Sequence, residues 1–100
     1  MIKHIVMWTL KDEAAGAGKA DNARAMKQKL EALAGLIPSL GRIEVGIDVF
    51  AATPDCDVIL YSEFASRADL DAYQVHPEHQ KVVAFVKQVA ASRSVVDYEI

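Results

Sequence analysis

The sequence predicts an α+β fold in which one four-stranded antiparallel sheet has helices on one of its faces. Apolar residues recur at every second position in some segments and at every third or fourth position in others, in the order β-α-β-β-α-β. This order is that of the split βαβ, or ferredoxin-like, motif. A length of 100 residues with 52% apolar and 25% charged residues suits one packed domain that spans residues 1–100.

A first strand is predicted over Ile2–Leu10, where both faces carry apolar side chains. The even-numbered residues, including His4 and Trp8, share one face, and Ile5 and Met7 lie on the other. A strand that is apolar on both faces is typical of a sheet that is covered on both sides. Because the helices of this fold cover one face, we expect the open face to pack on a second copy of the chain, with a cavity between the two sheets.

A first helix is predicted over residues 19–36, after a loop at residues 11–18. Its apolar residues have spacings of three and four, at Ala23, Met26, Leu30, Leu33 and Ile37. Gly35 and Pro38 favour its end, because glycine adopts the left-handed cap conformation and proline cannot continue the helical hydrogen bonds.

Three further strands are predicted at residues 43–49, 57–64 and 94–100. The first of these alternates β-branched with polar residues, and a connection that contains Pro54 separates it from the second. The last is rich in valine and tyrosine, which favour strands.

Two helices are predicted between the last two strands. Ser66 and Asp69 have the spacing of a capping box, which indicates a short helix over residues 66–75. His76-Pro77 interrupts it, and a second helix is predicted over residues 77–91 because proline suits a first helical position and His76 can cap it.

The composition excludes several classes of partner and cofactor. Eleven basic and fourteen acidic residues give a net charge of −3, so no basic surface for nucleic acid or for an anionic membrane is expected. The single cysteine, Cys56, cannot form an internal disulfide, and the first residues lack the pattern of a signal peptide, so a cytoplasmic protein is expected. No glycine-rich nucleotide motif occurs, and no cofactor is expected.

His79 and Tyr73 are the candidate catalytic residues. A helical projection places His79 within the apolar arc of its helix, while Lys87 falls among the polar residues. A buried imidazole stays neutral near pH 7 and can act as a general acid or base. The tyrosine hydroxyl could donate a hydrogen bond to a substrate carbonyl. The alternatives are a histidine satisfied by a backbone carbonyl and a core aromatic residue.

His4, His76 and Trp8 are candidate substrate-binding residues. His76 is also the cap of the helix that follows it, and Trp8 also suits a core or interface position. His4 either packs against the helices or points into a cavity between two subunits, and these alternatives stay open. His76 and His79 are three residues apart, but two imidazoles are an incomplete ligand set, so no metal site is predicted.

Two segments resemble the stress-responsive A/B barrel family. The first is Ile2–Lys11, and the second runs from Leu60–Phe64 through Tyr73-Gln74-Val75-His76-Pro77-Glu78-His79 to the terminal Val95–Tyr98. The resemblance implies a dimeric α+β barrel of two ferredoxin-like subunits. The family includes plant stress-related proteins without a settled activity and a polyketide cyclase that performs a cofactor-free aldol condensation. The working tyrosine and histidine of that cyclase match Tyr73 and His79, whereas its substrate does not transfer.

Three functions follow as hypotheses. The first is a dimer with a pocket for a small hydrophobic or carbonyl-containing ligand, with cofactor-free acid/base catalysis such as aldol-type cyclisation. The second is a non-catalytic stress-response or structural dimer, in which His79 is a packing residue. The third, by analogy of fold, is a cofactor-free or haem-related oxygenase.

Overall fold

Four of the six strands form one antiparallel sheet in the order β4-β5-β1-β6, and the three helices lie against one face of it. The computed structural model describes residues 1–100. The elements are β1 Ile2–Leu10, β2 Glu13–Ala14, β3 Ala17–Gly18, α1 Lys19–Glu31, β4 Ile43–Gly46, β5 Val58–Phe64, α2 Arg67–Val75, α3 Pro77–Val89 and β6 Ala90–Glu99. The predicted ferredoxin-like α+β fold is confirmed. The predicted loop at 11–18 contains the small hairpin β2-β3.

The two faces of the sheet differ in burial. Along β1, buried and half-buried residues alternate from Ile2 to Leu10. The buried set faces the helices and belongs to a hydrophobic core of 19 residues. Lys3, Ile5 and Met7 lie on the opposite face, which nothing in the chain covers. One strand therefore separates a closed core from an open sheet surface.

Helix α1 ends at Glu31, five residues before the predicted end at residue 36. Beyond it the backbone makes tight turns, in which Leu33 N–H donates to the Leu30 carbonyl over 3.1 Å and Gly35 has φ +84°. The Glu31 carboxylate accepts a hydrogen bond of 3.0 Å from Val45 N–H, and Lys27 Nζ donates to Val45 O over 2.6 Å. These bonds fix the last helical turn to strand β4, so the remaining apolar residues reach the core from turns.

Strand β6 begins at Ala90 instead of Ser94, and α3 correspondingly stops at Val89 instead of residue 91. Ala90 has extended backbone angles and pairs with Leu10 of β1. The Val89 carbonyl accepts a hydrogen bond of 2.9 Å from Lys11 N–H. Pairing with the long strand β1 thus overrides the apolar spacing that extended the helix. Strand β4 is shorter than predicted and ends at Gly46.

The break between α2 and α3 follows the predicted caps. Ser66 Oγ accepts a hydrogen bond of 3.1 Å from Asp69 N–H at the start of α2. His76 Nδ1 accepts one of 3.1 Å from Glu78 N–H, and Pro77 is the first residue of α3. No helix of the chain is both long enough and apolar enough to cross a membrane.

Candidate functional site

An apolar cavity of about 340 Å³ lies between the sheet and the helices. Its walls come from β1 through Val6 and Trp8, from α1 through Leu30 and from α3 through Val82 and Val86. This cavity lies on the helix side of the sheet, within one chain, so it is distinct from the cavity expected between two sheets, which stays a prediction.

Tyr73 and His79 lie side by side in the wall of this cavity. Their ring centroids are 4.3 Å apart and the ring planes are tilted by 40°. Tyr73 packs its other side on Phe64, with ring centroids 5.0 Å apart. Because α2 supplies the tyrosine and α3 the histidine, the sharp turn between the two helices brings the pair together.

His79 is oriented by a backbone carbonyl that the helix break leaves without its usual partner. In a continuous helix Gln74 O would accept from Glu78 N–H, but that group donates to His76 Nδ1 instead. His79 Nδ1 lies 3.1 Å from Gln74 O. Since a carbonyl only accepts, Nδ1 carries the proton, and the neutral ring keeps an unshared pair on Nε2.

Burial sets the charge states of this pair. Desolvation lowers the pKa of His79 and outweighs the bond to Gln74 O, and the charges of His4 and Arg93 lower it further. Burial alone raises the pKa of the Tyr73 hydroxyl to about 12. At neutral pH the site therefore presents an uncharged imidazole base beside a protonated phenol.

His4 belongs to the same cavity, which decides between the two placements that the sequence left open. Its side chain faces the helices, is 4% exposed and has its ring centroid 6.5 Å from that of Tyr73. His4 Nδ1 is hydrogen-bonded to the carboxylate of Asp97 in β6. Since the carboxylate only accepts, His4 Nδ1 carries the proton of this hydrogen bond.

Trp8 lines the cavity and has an unsatisfied donor. Its side chain is buried, and Nε1 has no hydrogen-bond partner. His76 lies outside the cavity, where it caps α3, so the structure brings together four of the five predicted site residues and not this one. Cys56 also lies outside, with Sγ 3.3 Å from Val58 O. No group of three or more His, Cys, Asp or Glu side chains is arranged to hold a metal ion.

The structure adds residues that the sequence analysis missed. Asp97 and Arg93 lie on β6, opposite His4 and Trp8 of β1. Lys87 lines the cavity from α3 although the helical projection grouped it with the polar residues. It follows His79 by eight residues, which is about 80° around the helix at 100° per residue, so it borders the apolar arc. This angle was the signal in the sequence from which Lys87 could have been identified as a lining residue.

Fold and cavity together define a small ferredoxin-like α+β protein with a pocket between its sheet and its helices. Residues 2–100 match the family described as the Stress responsive A/B Barrel Domain. The chain belongs to this family.

Similar proteins agree with this assignment. The chain is 27% identical over 100 residues to the Stress-response A/B barrel domain-containing protein DABB1 of Arabidopsis thaliana, covering 98% of this chain and 46% of that protein. The chain thus spans about half the length of this curated relative. A dimeric ferredoxin-like protein of unknown function from Bacteroides fragilis is 31% identical, with a TM-score of 0.83, over 99% of this chain and 95% of that one. Another, from Jannaschia, is 30% identical, with a TM-score of 0.75, over 99% and 98%.

Two enzymes share the fold alone. A hydroxynitrile lyase from Passiflora edulis is 19% identical, with a TM-score of 0.77, over 99% of this chain and 92% of that one. An antibiotic biosynthesis monooxygenase is 18% identical, with a TM-score of 0.71, over 100% and 98%. At these identities neither chemistry transfers to this chain.

Proposed function

We propose that the chain binds a small carbonyl compound in the cavity and moves a proton on it without a cofactor, with His79 as the base and Tyr73 as the hydrogen-bond donor. The observation that carries this proposal is the pair itself. An uncharged imidazole and a protonated phenol lie 4.3 Å apart between ring centroids in an apolar cavity, and neither Nε2 nor the hydroxyl has a partner in the chain.

The chemistry follows from these protonation states. His79 Nε2 takes a proton from the carbon next to the carbonyl, and the ring becomes an imidazolium. The electron pair of the broken C–H bond moves onto the carbonyl oxygen, where the Tyr73 hydroxyl donates to the resulting enolate. The His79 imidazolium then returns the proton to another carbon of the enolate system or to the opposite face of the same carbon, which isomerises the compound. Alternatively, the enolate carbon attacks a second carbonyl, and the resulting alkoxide takes the proton from His79.

His4 and Trp8 are proposed to contact the bound compound. Asp97 holds the His4 ring through Nδ1, so Nε2 is left for a hydrogen bond with a polar group of the ligand. Trp8 Nε1 has no partner in the chain, and an unsatisfied buried donor costs free energy that an acceptor on a ligand would recover. Asp97 is accordingly a positioning residue.

Two copies of the chain are proposed to form the assembly through the open face of the sheet. Ile5 and Met7 of β1 and Ile59 of β5 lie on this face, together with Val96 of β6. No helix of the chain covers them, and the solved relatives from Bacteroides fragilis and Jannaschia are dimeric. The cavity lies on the other side of the sheet, so each copy would hold its own site.

The test is α-proton exchange on ligands found by a thermal-shift screen of phenolic, polyketide-like and keto-acid compounds. For each hit, loss of the α-proton signal in D₂O is followed by NMR. We expect His79→Gln to slow exchange by about 10²–10⁴-fold, because it removes the base while keeping a donor to Gln74 O. Tyr73→Phe should slow it by about 10²-fold or more.

The control is His76→Asn, which removes a histidine outside the cavity and keeps a good helix cap. It should exchange at the native rate. Equal exchange rates for the native protein and His79→Gln would refute the catalytic role. An absence of hits together with unchanged or higher stability of His79→Leu would favour the packing residue of a non-catalytic dimer.

A further inference from the structure

Two basic residues line the solvent-exposed part of the cavity. Among its 13 lining residues, only Lys87 and Arg93 are exposed, and all the others are buried or half-buried. Lys87 comes from α3 and Arg93 from β6, so they approach the opening from the helix layer and from the sheet. Because these two are the exposed members of the lining, they mark the side on which the cavity meets solvent.

These two cations also lack the partners that the other basic residues have. Six lysine and arginine side chains pair with acidic side chains on the surface, and Lys3 pairs with Glu63 on the open sheet face. Lys11 donates to the Gln88 carbonyl, and Lys29 lies over the Phe85 ring. Of the eleven basic residues, Lys87 and Arg93 alone make no ion pair, hydrogen bond or ring contact.

Local structure explains at most one of the two positions. A lysine in the last turn of a helix interacts favourably with the helix dipole, which suits Lys87. Arg93 lies on a strand opposite Trp8 and has no such reason. Two unpaired cations at one opening also stand out in a chain whose net charge is −3.

We propose that Lys87 and Arg93 bind a carboxylate, so that the compound processed in the cavity is a carbonyl compound with an apolar body and a carboxylate at its outer end. This inference rests on the proposed function, because it names the substrate class of the same site. The guanidinium offers paired donors that match the two oxygens of a carboxylate, and the ammonium adds a second charge. The apolar body then lies beside His79 and Tyr73.

The opening suits a single negative charge better than a phosphate group. The phosphate sites of proteins add backbone N–H groups from a helix N-terminus or a glycine-rich loop. Here α3 presents its C-terminal half to the opening, since Lys87 is in its last turn. A carboxylate therefore fits the chemistry, and a phosphate ester serves as a comparison in the test.

The experiment compares 4-oxo-4-phenylbutanoate with its primary amide and with phenyl phosphate by titration calorimetry. The keto acid and its amide have the same apolar body and carbonyl and differ in charge. We expect the native protein to bind the acid about tenfold more tightly than the amide. Arg93→Gln and Lys87→Gln should each weaken binding of the acid by about tenfold and leave binding of the amide within about twofold.

The matched control is Lys81→Gln on the same helix. Lys81 lies outside the cavity and pairs with Glu78 over 3.1 Å, so the change removes the same charge without altering the opening. Its affinity for the acid should equal that of the native protein. Sedimentation of each variant checks whether the mass of the assembly is unchanged.

Four results would overturn the inference. Equal affinity of the native protein for acid and amide would overturn the substrate class and leave the proposed function standing. Tighter binding of phenyl phosphate than of the acid would also overturn the substrate class. A change of assembly in Arg93→Gln without a change in its affinity for the acid would do the same. If neither the acid nor the amide binds the native protein, this inference falls together with the proposed function.

Discussion

His79 uses its two ring nitrogens for two tasks. Nδ1 donates to Gln74 O at the end of α2 and so ties the two helices together, while Nε2 faces the cavity without a partner. The packing role and the proposed catalytic role of His79 therefore use different nitrogens of the same ring. A histidine that meets a structural need with one nitrogen and presents the other to a ligand is a common arrangement for a positioned base.

The lowered pKa of His79 predicts a pH dependence of stability. In the unfolded chain the imidazole titrates near the ordinary 6.5, and burial lowers its pKa in the fold. Between these two pKa values the unfolded chain binds the proton and the folded chain does not, so stability falls as the pH drops below about 6.5. We expect His79→Gln to lose this part of the acid sensitivity.

Urea unfolding from about pH 5 to about pH 8 measures the effect. The difference in unfolding free energy between the native protein and His79→Gln should shrink towards the acid end of this range. His76→Asn is the comparison, because it also removes one histidine. Parallel curves for the native protein and His79→Gln over the whole range would contradict the prediction.

Only the site residues with a local signal could be predicted from the sequence. Tyr73 and His79 follow from helix phase and from the family resemblance. Asp97 and Arg93 lie at the site because β6 pairs with β1 in the register that places them opposite His4 and Trp8. This pairing joins two strands from opposite ends of the chain. A sequence shows the alternation within each strand, but it does not show which residues of the two strands become neighbours.

At the scale of elements, two side chains of α1 bond to the edge of the sheet at β4, where a further strand would otherwise pair. Val45 lies on β4, which is an edge of the sheet, and its N–H and C=O bond to Glu31 and Lys27. Lys27 and Glu31 also pair with each other over 2.9 Å. The bond to Lys27 lowers the pKa of the Glu31 carboxyl, and the Val45 amide adds to this effect.

We expect Glu31→Gln to destabilise the fold by about 1 kcal/mol at neutral pH, because it weakens two charge-assisted bonds that are partly exposed to water. A lowered carboxyl pKa stabilises the fold above the unfolded value, here 4.5, and this contribution is lost as the pH falls through the folded value. The native protein and the variant should therefore become similar in acid.

Chemical denaturation at neutral pH and near pH 3 tests this expectation. Glu44→Gln is the control, since Glu44 pairs only with Arg42 on the surface. The prediction is wrong if Glu31→Gln costs no more than Glu44→Gln at neutral pH.

The order and type of the large elements were predictable because each carries its own periodicity and caps, as Ser66 and His76 illustrate. The ends of α1 and α3 were not predictable. Apolar spacing continues past both ends, but Glu31 bonds to β4, and Ala90 pairs with β1. Tertiary pairing thus overrides local pattern where the two compete.

At the scale of the whole molecule, the proposed dimer through the open sheet face should be disrupted by a charge placed on that face. Met7 lies on β1 between Ile59 of β5 and Ser94 of β6 and is half-buried in one chain. Met7→Lys should leave each chain folded, because its stem can lie along the sheet while its ammonium reaches water. In a pair of sheets it would bury two unpaired charges, so we expect dissociation to rise by about a hundredfold or more.

Sedimentation velocity over a range of concentrations measures this change. Ala84→Lys, on an exposed position of α3, is the matched control and should keep the native mass. An unchanged dimer in Met7→Lys would assign the association to another surface.

The bonded edge at Val45 also bears on fibre formation. A chain that polymerises by strand addition needs two available edges, since every copy in the middle of a fibre has a neighbour on each side. This sheet offers its backbone along β6, whereas at β4 the helix side chains of Lys27 and Glu31 already occupy the groups of Val45. For a single chain, addition along β6 alone therefore joins two copies. Loss of Lys27 and Glu31 would free the groups of Val45 and make the β4 edge available for strand addition as well.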